Sequence, residues 1–155
     1  MKTEQMCYTY SDVIVRKAVS CDLASIKKLA DCETRSLGFT VISAIVEGIE
    51  LGFVFVAEVQ GEVVGFQQYY HRKRDLQTTL YRKTVAKKWR RQGIATKLVD
   101  AVVEEAKKLN REVIFLKCPI DNESNKFHLR YGFKKIRVDS GKRRKLNVYE
   151  YRLTA

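Results

Sequence analysis

Residues 85–96 read VAKKWRRQGIAT, and this stretch decides how the rest of the chain is arranged. The residues before it, 76–85, are rich in Thr, Leu, Tyr and Val, which is typical of a β-strand. After it, Ile94, Leu98, Val102 and further apolar residues recur at helical spacing, with charged residues between them. The stretch is therefore predicted to run from the end of a strand, through a basic loop with one glycine, into the first turn of a helix.

A strand that passes through such a loop into a helix is a place to hold phosphate. The first backbone N–H groups of a helix have no intrahelical acceptor, and the helix dipole adds partial positive charge there. Gly93 permits a positive φ and lets an anion approach the backbone, while Arg90 and Arg91 add fixed charge. By spacing alone, a solvated basic turn before an ordinary amphipathic helix explains the pattern equally well.

The residues in order are more specific than their spacing. Residues 90–95, RRQGIA, resemble the pyrophosphate loop of the GNAT superfamily of acyl-CoA-dependent N-acetyltransferases, Arg/Gln-x-x-Gly-x-Gly/Ala. Val85 stands eight residues before Gly93, where that family usually ends its fourth strand with Val. A second motif, residues 122–133 (NESNKFHLRYGF), resembles the later helix of the family, which closes on a Gly-Phe pair. The two motifs occur in the right order, and the resemblance covers nearly the whole chain.

The resemblance implies one α/β N-acetyltransferase domain over residues 12–155, with a mixed, mostly antiparallel sheet flanked by helices. The residues themselves indicate the element order β–α–α–β–β–β–α–β–α–β–β. Residues 1–11 show no clear pattern and are predicted to be a loose tail. The strand–helix–strand unit over 76–118 is expected to be a right-handed parallel crossover, with ligands at the carboxyl ends of its strands.

The resemblance also implies where acetyl-CoA binds. In the family, the strands that match residues 76–85 and 112–118 splay apart at their ends, and the pantetheine arm lies between them. The residues so implied to bind the coenzyme are Lys83, Thr84, Val85, Arg90, Arg91, Gln92, Gly93, Ile94, Ala95 and Thr96. Asn122 or Asn125 is implied to hydrogen-bond the pantetheine arm, and a simple helix cap at Asp121 or Asn122 is the alternative.

The catalytic groups are harder to assign. The leaving thiolate of the family is often protonated by a Tyr four residues before the Gly of the Gly-Phe pair, and here that position is His128. An imidazole with its usual pKa near 6.5 is able to act as this acid, and a helix-face histidine that only packs is the alternative. Glu58 is the candidate general base, with Glu47 and Glu50 as alternatives. Cys118 is interpreted as a small apolar filler, so that direct transfer in a ternary complex is expected.

The net charge of +12 allows two interpretations. A strongly basic surface attracts nucleic acid or anionic membranes, and it also raises the encounter rate with a cofactor that carries several phosphates. Much of the excess lies in three short runs, residues 72–74, 87–91 and 142–145, without an aromatic-interleaved basic face. Nucleic acid is therefore ranked below acetyl-CoA as a partner, and no apolar run approaches the ~20 residues that a membrane span needs.

Cysteine spacing and the N-terminus complete the prediction. The four cysteines show no paired spacing and there are only two histidines, so no metal is expected. The first residues carry no apolar signal core, which makes a cytoplasmic protein the expectation.

The sequence thus predicts an N-acetyltransferase that moves the acetyl group of acetyl-CoA to a primary amine of a small molecule or a protein. The alternatives are an inactive coenzyme-binding module and a basic ribosome- or RNA-associated acetyltransferase. The amine acceptor is not identified, and a homodimer is expected only because such families often dimerise.

Overall fold

The computed structural model describes residues 12–33 and 41–153. The strands are β1 (Val13–Lys17), β2 (Val54–Val59), β3 (Glu62–His71), β4 (Gln77–Val85), β5 (Val113–Pro119), β6 (Lys134–Ser140) and β7 (Lys145–Arg152). The helices are α1 (Leu23–Cys32), α2 (Ile42–Glu50), α3 (Ile94–Lys108) and α4 (Ser124–Tyr131). These elements follow the predicted order. The predicted tail, residues 1–11, lies outside the described residues.

All seven strands form one sheet in the order β1-β2-β3-β4-β5-β7-β6. β4 and β5 run parallel, whereas the other neighbouring strands run antiparallel. Ile26 of α1 and Ile45 of α2 pack with Val56 on one face of the sheet. On the other face, α3 packs on Leu80 and Ile114, and α4 adds its aromatic side chains at the edge of the same cluster. The mixed, mostly antiparallel sheet flanked by helices is therefore confirmed.

Two turns adopt the backbone conformation that their residues predict. Gln60 and Gly61 connect β2 to β3 with φ of 49° and 80°, as a tight hairpin turn requires. Gly132 ends α4 with a φ of 116°, and the N–H of Phe133 donates to the carbonyl of His128 at 3.0 Å. The Gly-Phe pair therefore stops the helix, as the second motif implies.

β4 and β5 separate soon after they begin to pair. The paired residues are Gln77–Val113, Thr78–Ile114 and Thr79–Phe115. A bulge in β4 follows at once, and the pairs with β3 on either side of it are Tyr69–Leu80 and Gln67–Lys83. Two residues of β4, Tyr81 and Arg82, therefore face a single residue of β3. The bulge lies where the pairing with β5 stops, so that the carboxyl ends of the two strands splay apart.

The bulge also decides which β4 side chains face which helices. Leu80 and Val85 both pack against α3. Arg82 points to the opposite face, where its guanidinium donates to the side-chain oxygen of Gln68 at 3.2 Å. Because two consecutive residues occupy the bulge, Lys83 returns to the face of Leu80. Its amine lies 3.6 Å from the ring centroid of Phe127 on α4.

A polar network fixes α3 to the sheet away from the splayed ends. The carboxylate of Glu105 accepts hydrogen bonds from Lys17, Tyr69 and, at 2.9 Å, His71. The second nitrogen of His71 lies 2.7 Å from the hydroxyl of Thr78. Burial raises the pKa of Glu105, but the three donors outweigh that effect and hold it below its usual value.

This network predicts an acid-sensitive contribution to stability. A lowered pKa means that the contribution is present above the unfolded pKa of Glu, near 4.3, and is lost as pH falls through the folded pKa. We expect Glu105→Gln to lower the free energy of unfolding by about 1–2 kcal/mol at pH 7, a modest value because the carboxylate is partly solvated. Urea unfolding at pH 7 and below pH 4 measures the difference, with the exposed neighbour Glu104→Gln as control. A deficit that stays constant at both pH values would contradict this origin.

Candidate active site

The loop before α3 has the backbone geometry of an anion site. Gly93 lies in the left-handed region with a φ of 81°, and Arg91 also has a positive φ of 62°. The first helical hydrogen bond runs from the N–H of Lys97 to the carbonyl of Gly93 at 3.1 Å. The amides at residues 94–96 consequently precede the first helical bond and have no acceptor within the helix. A positive φ at a residue other than glycine costs about 1–2 kcal/mol, and such strain clusters at ligand-binding sites.

Arg90 holds this loop in place with its side chain. Its Nε donates to the carbonyl of Val85 at 2.9 Å, and its Nη2 forms an ion pair with Glu33 at the end of α1. The guanidinium therefore joins the loop to β4 and to α1. Both arginines that were predicted to supply charge are exposed, and both line the cleft described next.

A cleft of about 1830 Å³ extends from this loop to α4. Of the residues predicted to bind the coenzyme, those that line it are Lys83, Thr84, Val85, Arg90, Arg91, Gly93, Ile94, Ala95, Thr96 and Asn122. Gln92, Asn125, His128 and Glu58 are not among the lining residues. The cleft thus brings together the end of β4, the glycine loop and the start of α4.

α4 contributes further lining residues, of which the sequence analysis did not single out Phe127 and Arg130. Phe127, Arg130 and Tyr131 share one face of the helix and line the cleft. They are three and four residues apart within the motif of residues 122–133, and this spacing could have placed them together on one helix face from the sequence alone. The hydroxyl of Tyr131 donates to Asp100 of α3 at 2.6 Å, so this residue also fastens α4 to α3. Burial, together with that carboxylate, raises the pKa of Tyr131.

Lys83 is the unusual residue of the cleft. Its stem is half-buried, whereas its Nζ is fully buried and has no hydrogen-bond partner among the described residues. Burial lowers the pKa of this amine to about 7, against a smaller opposing effect of the Cys118 thiol. Nothing local in the sequence shows that the amine of Lys83 is buried.

Cys118 faces Lys83 from β5. Its side chain is buried, and burial raises the pKa of the thiol to about 11. The thiol is therefore protonated at neutral pH and is a poor nucleophile. This agrees with its interpretation as a small apolar filler.

His128 lies behind the cleft rather than in it. It is 7% exposed, and its ring contacts those of Phe127, Phe133 and Tyr149. Burial, and then the charge of Lys83, lower the pKa of His128 to about 3. The expectation of an ordinary pKa near 6.5 is therefore wrong, and the ring is neutral at physiological pH. Its buried Nδ1 has no partner among the described residues, so the catalytic role of His128 stays a prediction without its original support.

Asn122 and Asn125, at the start of α4, differ in how many hydrogen-bonding groups of their side chains are already used. Asn122 lines the cleft, and its side-chain oxygen accepts the N–H of Ser124 at 2.8 Å, which is the helix-cap alternative. Asn125 donates to the carbonyls of Pro119 and Asn122 and accepts from side chains of β7. The side-chain amide of Asn125 thus joins α4 to β5 and β7, and its binding of the pantetheine arm stays a prediction.

Glu58 does not line the cleft. Its carboxylate accepts two hydrogen bonds from Arg16, at 3.1 and 3.3 Å, and Arg16 also binds Asp22. Because Arg16 neutralises this carboxylate, two strands from β4, the general-base role of Glu58 stays a prediction without support from its surroundings. Glu47 and Glu50, the alternatives, are exposed on α2 and do not line the cleft.

The side chain of Gln92 makes only a long contact, 3.4 Å from its nitrogen to the carbonyl of Lys88. It is exposed and points away from the cleft lining. The prediction for Gln92 therefore concerns its backbone amide alone.

Three observations bear on the other expected partners. No helix in the described part of the chain is long and apolar enough to cross a membrane. Within residues 12–33 and 41–153, no three His, Cys, Asp or Glu side chains are grouped so as to hold a metal ion. Over the same ranges, Cys21, Cys32 and Cys118 are free thiols.

Comparisons with known proteins address the same region. The model of the family described as acetyltransferase (GNAT) domain matches residues 36–155. No curated protein matches the chain. Ard1 from Thermoplasma volcanium has a similar structure, with a TM-score of 0.83 and 19% identity over 93% of this chain and 99% of that one.

Two further solved structures share the fold. yncA from Salmonella typhimurium, solved with its cofactor acetyl-CoA, has a TM-score of 0.75 and 21% identity over 92% of this chain and 95% of that one. The ribosomal-protein-S18-alanine N-acetyltransferase from Escherichia coli has a TM-score of 0.76 and 14% identity over 92% of this chain and 95% of that one. At these identities the similarity shows the fold.

Proposed function

This chain belongs to the GNAT acetyltransferase family, and we propose that it moves the acetyl group of acetyl-CoA directly to a primary amine of a small molecule or a protein. One observation carries the proposal. The unbonded amides that open α3 face a cleft that leads to the gap between β4 and β5. An anion site joined to an opened strand pair suits a long ligand with phosphates at one end and a reactive group at the other.

The phosphate end of the coenzyme has matching charge in the cleft. The amides at residues 94–96 are proposed to bind the pyrophosphate, and Gly93 lets it approach the backbone. Arg91, Lys126 and Arg130 line the same cleft and add positive charge. Because this positive charge lies at one end of the cleft, the phosphates are proposed to bind there, with the pantetheine arm extending towards the gap between the strands.

The pantetheine arm is proposed to enter the gap between the strands. Beyond Thr79 and Phe115, backbone groups of β4 are no longer engaged by β5. They can bond the amides of the arm as a third strand would. The N–H of a residue near Val85 is proposed to face the thioester oxygen, where it stabilises the oxyanion that develops during attack.

The acceptor amine is proposed to approach from the face of the sheet that carries α1 and α2. The coenzyme cleft lies on the α3 and α4 side, so that the two substrates reach the gap from opposite faces and react in a ternary complex. Arg82 faces the acceptor side and suits an acceptor with a carboxylate or phosphate. The amine is proposed to give its proton to water, since the carboxylate of Glu58 is engaged by Arg16.

An acceptor screen with thiol detection tests this function. We expect release of free thiol from acetyl-CoA with at least one class of primary amine, among amino acids, polyamines and peptides with free N-termini. The same acceptors carrying an N-acetyl group serve as matched controls and should release none. Calorimetry with acetyl-CoA runs beside the screen. Binding without thiol release from any amine would instead support an inactive coenzyme-binding module, and copurifying RNA would support a ribosome- or RNA-associated role.

A further inference from the structure

We propose, resting on the function above, that Lys83 is the group that protonates the departing thiolate of coenzyme A. Lys83 projects from the splayed end of β4 towards α4, and its amine is buried beside the gap that the pantetheine arm would enter. This assigns a catalytic role to a side chain at a position where the family resemblance implied only backbone contacts.

The placement of Lys83 follows from the bulge in β4. Without the extra residue, alternation along the strand would turn Lys83 to the face of α2. With it, Lys83 shares a face with Leu80 and Val85 and lies between β4, β5 and α4. Its nearest aromatic neighbour, Phe127, also lines the cleft. The amine is thus held at the inner end of the site and not at its solvent-exposed mouth.

The amine lacks the hydrogen-bond acceptor that a buried ammonium needs. Buried polar atoms without a partner are rare in proteins, because each costs the desolvation of the group. Several such atoms flank the gap, namely Lys83 Nζ, Thr84 Oγ1, Gln67 Oε1, His128 Nδ1 and Asn147 Oδ1. Gln67 pairs with Lys83 across the strands, and Asn147 pairs with Cys118. This concentration indicates that the gap is shaped for a polar ligand that supplies the missing partners.

Compared with the titratable groups that face it, Lys83 is the best proton donor at neutral pH. The Cys118 thiol faces it from β5 and the His128 imidazole from α4, while Asp121 and Tyr149 lie on the side of Cys118. The pKa values of about 11 for Cys118 and about 3 for His128 keep both groups neutral at pH 7. Lys83, with a pKa near 7, is the only one of these three that readily exchanges a proton at that pH.

The proton balance of the step is complete. The acceptor nitrogen bonds to the thioester carbon and loses its proton to water. As the carbon–sulfur bond breaks, the ammonium of Lys83 transfers a proton to the sulfur, so that free coenzyme A leaves as a thiol. Lys83 is left as a neutral amine and regains a proton from solvent through the cleft.

Three variants test the role in turnover. Lys83→Met keeps the length of the side chain and removes the proton, so we expect kcat to fall about 100- to 10,000-fold while the Kd for acetyl-CoA stays within about threefold. The wild-type kcat should fall as pH rises through the pKa of Lys83, and Lys83→Met should lack this alkaline limb. Lys83→Arg keeps a positive charge that does not give up its proton and should stay impaired. Lys107→Met, on the exposed side of α3, is the control and should behave as wild type.

These outcomes separate a proton donor from other roles. If Lys83→Arg restored kcat, the side chain would supply only charge and the inference would be overturned. It would also be overturned if Lys83→Met kept kcat within threefold, or if it lost coenzyme affinity by as much as it lost activity. Thermal unfolding checks the fold of Lys83→Met, which should be at least as stable as wild type because no buried amine remains.

A second measurement does not require turnover. We expect the pKa of Lys83 to be higher with bound coenzyme A than with bound desulfo-coenzyme A, because the sulfur accepts a hydrogen bond from the ammonium form of the side chain. An NMR titration of the lysine side-chain nitrogens follows this pKa, and Lys83→Met identifies the signal. Equal pKa values with the two ligands would overturn the placement of Lys83 beside the sulfur. If the wild type released no thiol with any amine, the proposed function would fail, while this titration would still decide the position of Lys83.

Discussion

Replacing Gly93 with Glu is expected to abolish coenzyme binding while the chain still folds. The new carboxylate would stand at the N-terminus of α3, where the amides at residues 94–96 are proposed to hold the pyrophosphate. It would repel that group and compete for the same donors. We expect the Kd for acetyl-CoA to rise at least about 100-fold, which corresponds to about 2.7 kcal/mol. Calorimetry measures this loss directly, and the rise in Tm that acetyl-CoA gives the wild type should disappear.

The chain offers a matched control at Gly61. Its φ of 80° is nearly that of Gly93, 81°, and an added Cβ there would meet no atom within 4 Å. Gly61→Glu therefore introduces the same charge and the same backbone strain in the β2–β3 turn, away from the cleft. It should lose stability as Gly93→Glu does and keep its affinity for acetyl-CoA. Equal affinities in the two variants would remove the α3 terminus as the pyrophosphate site, and with it the support for acetyl transfer.

Deletion of Tyr81 is expected to abolish acetyl transfer without unfolding the protein. The deletion removes one of the two β4 residues that face a single residue of β3, so the strand regains regular alternation. Leu80 and Lys83 keep the face that packs on α3 and α4, which is why the core should survive. β4 is then free to continue pairing with β5 beyond Thr79, and this closes the gap. We expect kcat/KM to fall at least about 100-fold, the typical effect of misplacing a substrate by about 1 Å.

Hydrogen exchange separates gap closure from general damage. If β4 and β5 pair further, amides at residues 116–118 should exchange more slowly in the deletion variant. The control is deletion of Ile136, which removes the corresponding bulge between β6 and β7 at the far edge of the sheet. That variant should retain activity within about threefold. Full activity without Tyr81 would show that the bulge does not create the acetyl-transfer site.

Much of the fold follows from local features of the sequence. Gly93 and Gly132 both adopt the positive φ that their motifs imply, and the Gln60-Gly61 turn joins β2 to β3 as predicted. These features depend on backbone sterics and side-chain periodicity within a few residues. The order of elements and the left-handed glycine that opens α3 could therefore be predicted without a structure.

The side chains of the site could not be predicted in the same way. Arg90 was expected to provide charge for a ligand, but its guanidinium is engaged by Val85 and by Glu33, which lies 57 residues away. Asn125 is consumed by contacts with β5 and β7. Glu58 is neutralised by Arg16 on the neighbouring strand. In each case the deciding partner lies elsewhere in the chain, so spacing alone carries no signal of it.

The sequence by itself determined the glycine loop, the helix that it opens and the family to which these belong. The tertiary structure alone decided that the amine of Lys83 is buried and that the ring of His128 is neutral. Both results depend on desolvation by residues brought together from β4, β5, α4 and β7. A backbone conformation is set by neighbouring residues, whereas a pKa is set by everything that excludes water from the group.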